Sequence, residues 1–260
     1  MSFLQNASSI YHFLDLKFSS ELNLFIFNII DSNYVESKTL LLNSNIIKVK
    51  EGLYKLLQII NTAAYYRPKQ IQLYQKLIIE LSNPIKETFG ENFSLKSIIT
   101  NNYLRLSLIN ECHFSISNFI IEKIDNYNKN FNIILFFAPE ISQNGMEKVI
   151  QYYNLQEYCT EQFIQERNEK LNPETLAHSI IYDDIDKFQE ICSKNNTNYD
   201  SIIHHSLLDS DTFIEKSDLS LIEYSAFYGS LKIFKFLLMN SVSFTKKLPI
   251  YATAGGNYEI

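Results

Sequence analysis

The stretch SLIEYSAFYGSLKIFKFLL, from Ser220 to Leu238, decides the fold. Ser220 and Glu223 have the S-x-x-E spacing of a capping box, in which each residue satisfies a free backbone donor of the other at a helix start. A first helix therefore begins at Leu221. It carries Ile222 and the small residues Ser225 and Ala226, which let a neighbouring helix approach closely. Gly229 ends it, because reversal of the chain needs a left-handed backbone that glycine adopts without a side-chain clash. A second helix follows, with Leu231, Phe234, Leu237 and Leu238 on one face. The glycine is thus the bend between two antiparallel helices.

This pair resembles an ankyrin repeat, whose common pattern is TPLHxAAxxGHxxxVxxLL. Ser225 and Ala226 fall on the small pair, Gly229 on the glycine, and Leu237 and Leu238 on the leucine pair. The next stretch, LPIYATAGGNYEI, is similar to the start of another unit, with Ala252 and Thr253 on the small pair and Gly256 on the glycine. The spacing from Gly229 to Gly256 is shorter than the family's period of about 33 residues. Together with DDIDKF and AGGNYEI, it resembles a divergent helical module found beside ankyrin repeats in large families of protist proteins. The family's Thr-Pro-Leu-His start is replaced by Ser-Leu-Ile-Glu, so the capping box stands in for the usual threonine and histidine bonds.

The resemblance implies a stack of helical hairpins that binds a protein partner through an extended concave surface and does no chemistry of its own. Phe227 and Tyr228 occupy the variable positions before the glycine, which in such stacks tend to face the groove. Aromatic side chains there would anchor a partner at low entropy cost. Glu223 and Tyr224 come next as contact residues. The alternative for Phe227 and Tyr228 is packing against the preceding irregular loop. One helical pair cannot bury its apolar face alone, so the truncated last repeat at Ile260 is expected to mark either a fragment of a longer repeat protein, the favoured reading, or a frayed final stub, with self-association through the face near Ile250.

Upstream, Leu53, Leu56, Leu57, Ile60, Ala63 and Ala64 recur at three- and four-residue steps and line one helical face. Pro68 sets a new start, and Ile71, Tyr74, Leu77, Ile78 and Leu81 repeat the pattern until Asn83 and Pro84. These two helices are expected to form a hairpin. Short helices broken at Asn101, Asn102, Cys112 and His113 are expected over Ser94–Ile124. The run Phe131–Ala138 is apolar on every side, a buried helix or a buried strand that periodicity alone does not separate; its helical neighbours favour helix, and Met146–Asn168 gives one or two more. Asn172 and Pro173 open a further helix to about Tyr182. Asp183 and Asp184 make a turn, with Asp184 capping a helix that carries Ile185, Phe188 and Ile191. The polar connection that follows has at most one short helix near Ser201–Leu208. The expected organisation is all-α: an N-terminal helical region over 1–170, then an ankyrin-like α-solenoid over 171–260.

Composition agrees. Hydrophobic residues make up 46% of the 260 and charged residues 20%, which is ordinary globular usage. Six glycines and five prolines are too few for many tight turns, so an all-β fold is excluded first. The net charge is -6 and arginine occurs only at Arg67, Arg105 and Arg167, so no basic stripe for nucleic acid is present. Cys112, Cys159 and Cys192 are widely spaced and suggest a reducing compartment. The apolar run LNLFIFNII is about half a membrane span, and MSFLQNASSIYHF lacks the charged start of an export signal. Asn-x-Ser/Thr triplets at Asn6, Asn92 and Asn195 then stay unused, and the expectation is a cytoplasmic protein.

Chemistry is sparse. His204 and His205 are adjacent, with His178, Cys192, Asp209 and Asp211 in the same region, but no H-x-x-x-H or C-x-x-C spacing gathers ligands. DSDTF at Asp209 lacks the later ligands and turn glycine of a calcium loop. Gly255 and Gly256 form no phosphate cradle, and Cys112 beside His113 defines no nucleophile and base. Tyr65, Tyr66 and Arg67 read as a solvated tip, and Lys246 and Lys247 as a solubilising edge. The expectation is no catalytic residue, no metal and no cofactor. The competing expectations are an enzyme with its site in 1–170, or a purely structural segment of a longer repeat protein.

Overall fold

Apolar side chains at three- and four-residue spacing fold into helices almost everywhere in the computed structural model, which describes residues 16–90, 94–119, 131–169, 174–209 and 218–260. Among the described residues there are fifteen α-helices and one two-stranded sheet. The chain divides into two units: the described residues through Tyr65 with Gln70–Tyr153, and Tyr66–Lys69 with Asn154–Ile260. No helix among the described residues is long and apolar enough to cross a membrane.

In the first unit, α1 (Leu16–Phe27) buries Phe18, Leu22 and Ile26, one residue per turn. After α2 (Tyr34–Leu42), α3 (Lys50–Tyr66) buries Leu53, Leu56, Leu57, Ile60, Ala63 and Ala64, the face read from the sequence. Then come α4 (Ile71–Glu80), α5 (Ser82–Phe89) and α6 (Asn102–Asn110). The close neighbour of α4 is α6, whereas the sequence suggested α3. Polar side chains explain that choice. Gln75 on α4 donates to the Tyr103 carbonyl at 3.0 Å and to Ser107 Oγ at 2.8 Å. Asn61 on α3 instead accepts from the backbone amides of Thr100 (2.8 Å) and Asn101 (2.9 Å), pinning the residues that lead into α6. Asn101 then caps α6, accepting from the Tyr103 and Leu104 amides. The run at Phe131 is helical as expected, α7 (Phe131–Phe136), followed by α8 (Ala138–Gln143) and α9 (Glu147–Tyr152).

In the second unit, α10 (Glu161–Glu169) precedes α11 (Thr175–Ile181) and α12 (Ile185–Asn195). Asp184 caps α12 by accepting from the Lys187 amide at 3.0 Å, while the expected Asn172 and Pro173 start lies outside the described residues. Where a short helix near Ser201 was expected, β1 (Ile202–Ile203) pairs antiparallel with β2 (Leu219–Ser220). Two β-branched residues beside a second apolar segment favour the strand. Next come α13 (Leu221–Phe227), α14 (Leu231–Met239) and α15 (Leu248–Gly255). The core runs from Leu176 to Tyr251, and α13 is its centre, lying against α11, α14, α15 and both strands.

Candidate functional site

The second unit is organised by three turns. The residues at their bends, Asp183, Gly229 and Gly256, have φ of 54°, 62° and 67°, the left-handed region that glycine and aspartate tolerate best. Asp183 and Gly229 each separate two helices, and Gly256 ends α15. The capping box is formed: Ser220 Oγ accepts from the Glu223 amide at 3.4 Å, and Glu223 Oε2 accepts from the Ser220 amide at 3.1 Å. Glu223 Oε1 also accepts from Thr245 Oγ1.

The turns are tied to one another. Asp183 carries its carboxylate to the first turn of α14, accepting from the amides of Lys232 at 3.2 Å and Ile233 at 3.1 Å. Those are two of the four helix-start donors that have no partner within their own helix. Ser230 Oγ, fully buried, donates to the Ile180 carbonyl. Asn257 Nδ2 donates to the Gly229 carbonyl at 3.2 Å. A Cβ on Gly255 would stand 2.5 Å from the carbonyl oxygens of both Ala226 and Phe227, so only glycine lets α15 approach α13 this closely. Arg67 donates to the Ala254 carbonyl at the end of α15, and so is no solvated tip.

The four proposed contact residues fall in this interior. Glu223, Tyr224, Phe227 and Tyr228 are 4%, 0%, 1% and 7% exposed. Tyr224 meets Tyr228 at a tilt, with 4.7 Å between ring centroids, and Phe227 meets it edge-to-face at 5.3 Å. As a groove-facing surface this set is corrected: every residue of α13 is buried because the helix has neighbours on all sides. Among the exposed large apolar residues of this unit, three lie close together in the chain beyond α13: Met239 at the end of α14 (77%), Phe244 in the following connection (62%) and Ile250 in the first turn of α15 (54%). The exposed Lys246 and Lys247 lie between the last two. The sequence signal was present, since Phe244 and Ile250 flank a charged pair, but no repeat pattern points to them.

The remaining polar candidates do not converge. His204 Nδ1 sits 3.2 Å from Asp218 Oδ2. His205 is half-buried, and burial pushes its imidazole below the usual histidine range while Asp218 partly opposes that shift. Asp209 Oδ2 accepts from the Ser206 amide at 2.7 Å, and Asp211 with the rest of DSDTF lies outside the described residues. Among the described residues, no three histidine, cysteine or acidic side chains come together as a metal site. Burial pushes the Cys112 and Cys192 thiols up, the opposite of an activated nucleophile.

Compared with protein-family models, with curated proteins and with solved structures, the chain matches none.

Proposed function

We propose that this chain is a non-catalytic scaffold whose second unit is an ankyrin-like stack of helical hairpins that holds a protein partner in the cytoplasm. One observation carries the reading: Asp183, Gly229 and Gly256 take the same left-handed conformation at the ends of α11, α13 and α15, every second helix, and side chains tie these three turns to one another. That is how hairpins that cannot stand alone become one body. Three free cysteines fit a reducing compartment.

The contact surface of this reading is Met239, Phe244 and Ile250, with Lys246 and Lys247 beside them. Apolar side chains rimmed by cations fit a partner segment that presents apolar residues flanked by carboxylates. A displayed library of helical peptides selected against the purified chain tests this. Acidic, apolar peptides are expected, with affinity falling at least about tenfold for Phe244→Ser combined with Ile250→Ser. Peptides that bind the double variant equally well would overturn the surface. Selection of nothing from a library of adequate size would overturn the scaffold.

A further inference from the structure

A groove of about 460 Å³ lies between α1 and α3 in the first unit, a volume within the range of small-molecule sites. Leu16 and Ser19 of α1 line one side, and Lys50, Tyr54, Lys55 and Gln58 of α3 the other. The α3 positions recur at three- and four-residue steps and so share one helical face, while Leu53, Leu56, Leu57 and Ile60 of the same helix go to the core. Leu16 lies off the stripe of Phe18, Leu22 and Ile26 that α1 buries. It is 86% exposed and Tyr54 is 37% exposed, so both leave apolar area in water that an apolar ligand would cover. Lysine stems, which are apolar up to the ammonium, extend the same surface.

The charges along the groove are uneven. Lys55 is half-buried, and among the described residues no hydrogen bond or ion pair holds its ammonium. Glu51 also lines the groove. It stands one turn before Lys55, a spacing at which such residues pair on many helices, yet the two are not paired here. A charge that is partly withdrawn from water without a partner is costly, and a ligand anion would offset that cost. The Lys50 ammonium lies 5.9 Å from the Phe89 ring centroid, a contact that uses none of its three hydrogen-bond donors. Both ammonium groups ride on flexible four-carbon stems, so they need no fixed direction to close on a carboxylate at the rim. Against Glu51 stand these two lysines and the partial positive charge of the α3 start.

We infer that this groove binds a small free apolar acid, a hydrocarbon body bearing one carboxylate, with the hydrocarbon against Leu16 and Tyr54 and the carboxylate held by Lys55, Lys50 completing the rim. The bond to Lys55 is charge-assisted on both sides, which makes it one of the stronger kinds. An apolar cation would meet Lys55 as a like charge. A neutral amphiphile would gain the apolar contact alone, and a short acid the charge alone. The site owes nothing to the contact surface of the second unit.

Titration calorimetry of the full chain with octanoate tests the inference, with octylammonium, octyl glucoside and acetate as comparisons. Octanoate is expected to bind with a Kd below about 1 mM, octyl glucoside at least about tenfold more weakly, and octylammonium and acetate to give no measurable heat. Lys55→Glu is expected to weaken octanoate at least about tenfold, about 1.4 kcal/mol, with an unchanged circular dichroism spectrum. Should that variant fail to fold, Leu16→Asp decides, because so exposed a residue contributes little to the core; it is expected to weaken binding similarly. Phe244→Ser combined with Ile250→Ser removes the other apolar surface that has lysines beside it and should leave octanoate binding unchanged. No heat with octanoate up to about 10 mM, equal binding of octylammonium, octyl glucoside or acetate, a folded Lys55→Glu that binds as before, or loss of binding in the second-unit double variant would each overturn the site.

Discussion

Replacing Asp183 separates two effects that the turn combines. Its carboxylate accepts from two amides at the start of α14, 3.2 and 3.1 Å away, and its backbone sits at φ 54°. Losing a helix cap costs about 1 kcal/mol, and losing a negative charge at a helix start about 0.5 kcal/mol. Placing alanine in the left-handed region adds about 1 kcal/mol. Asp183→Ala should therefore cost about 2 to 3 kcal/mol. Asp183→Gly loses the cap but relieves the backbone and should cost about 1 kcal/mol. Asp183→Asn keeps an acceptor and left-handed tolerance and should cost least. Thermal melts rank the three, at roughly 2 to 4 °C per kcal/mol for a chain of this size. Hydrogen exchange localises the effect: protection should fall first at the Lys232 and Ile233 amides. If alanine and glycine cost the same and those amides keep their protection, the cap across the turns is not real.

Two further outcomes follow. Gly255→Ala should destabilise by about 2 to 3 kcal/mol through overpacking, because the new carbon meets the backbone of Ala226 and Phe227, which cannot move aside as a side-chain end can. Gly145→Ala meets nothing within 4 Å and should cost only its left-handed strain, about 1 kcal/mol; equal losses in the two melts would refute the close approach. His205 gives a pH dependence. Its folded pKa lies below the unfolded value, so the unfolded chain takes up the proton first and stability is lost as pH falls below about 6.5. His205→Gln should flatten that part of the loss between about pH 7.5 and 5, and an unchanged slope in paired thermal melts would refute the assignment.

What the sequence showed was local. The capping box at Ser220 and Glu223, the bend at Gly229 and the cap at Asp184 all depend on residues within four positions of one another, and each is formed. Asp183 was legible as a turn but not as the cap of a helix some fifty residues later, because nothing in a turn sequence encodes which distant amides it will meet. Asn61 sits in an apolar helical stretch, and its partners at Thr100 and Asn101 are as remote. The position of the glycine was read at Gly256, where φ is left-handed, while its neighbour Gly255 carries the steric constraint. Phe227 and Tyr228 were misplaced for a related reason. A position that faces outward in a regular repeat is buried here, because α13 is covered by α11, α14, α15 and the β1–β2 pair.

That burial limits what the second unit can do with its polar groups. Asp183, Ser230, Glu223 and Asn257 each spend a hydrogen-bonding atom on the next turn or on the adjoining connection. A side chain that holds the fold together cannot be withdrawn to bind a ligand without loosening it, since leaving a buried acceptor or donor unpaired costs about 1 to 3 kcal/mol. In the proposed scaffold the partner is therefore met by side chains outside the ties, and Met239, Phe244 and Ile250 stand exposed there.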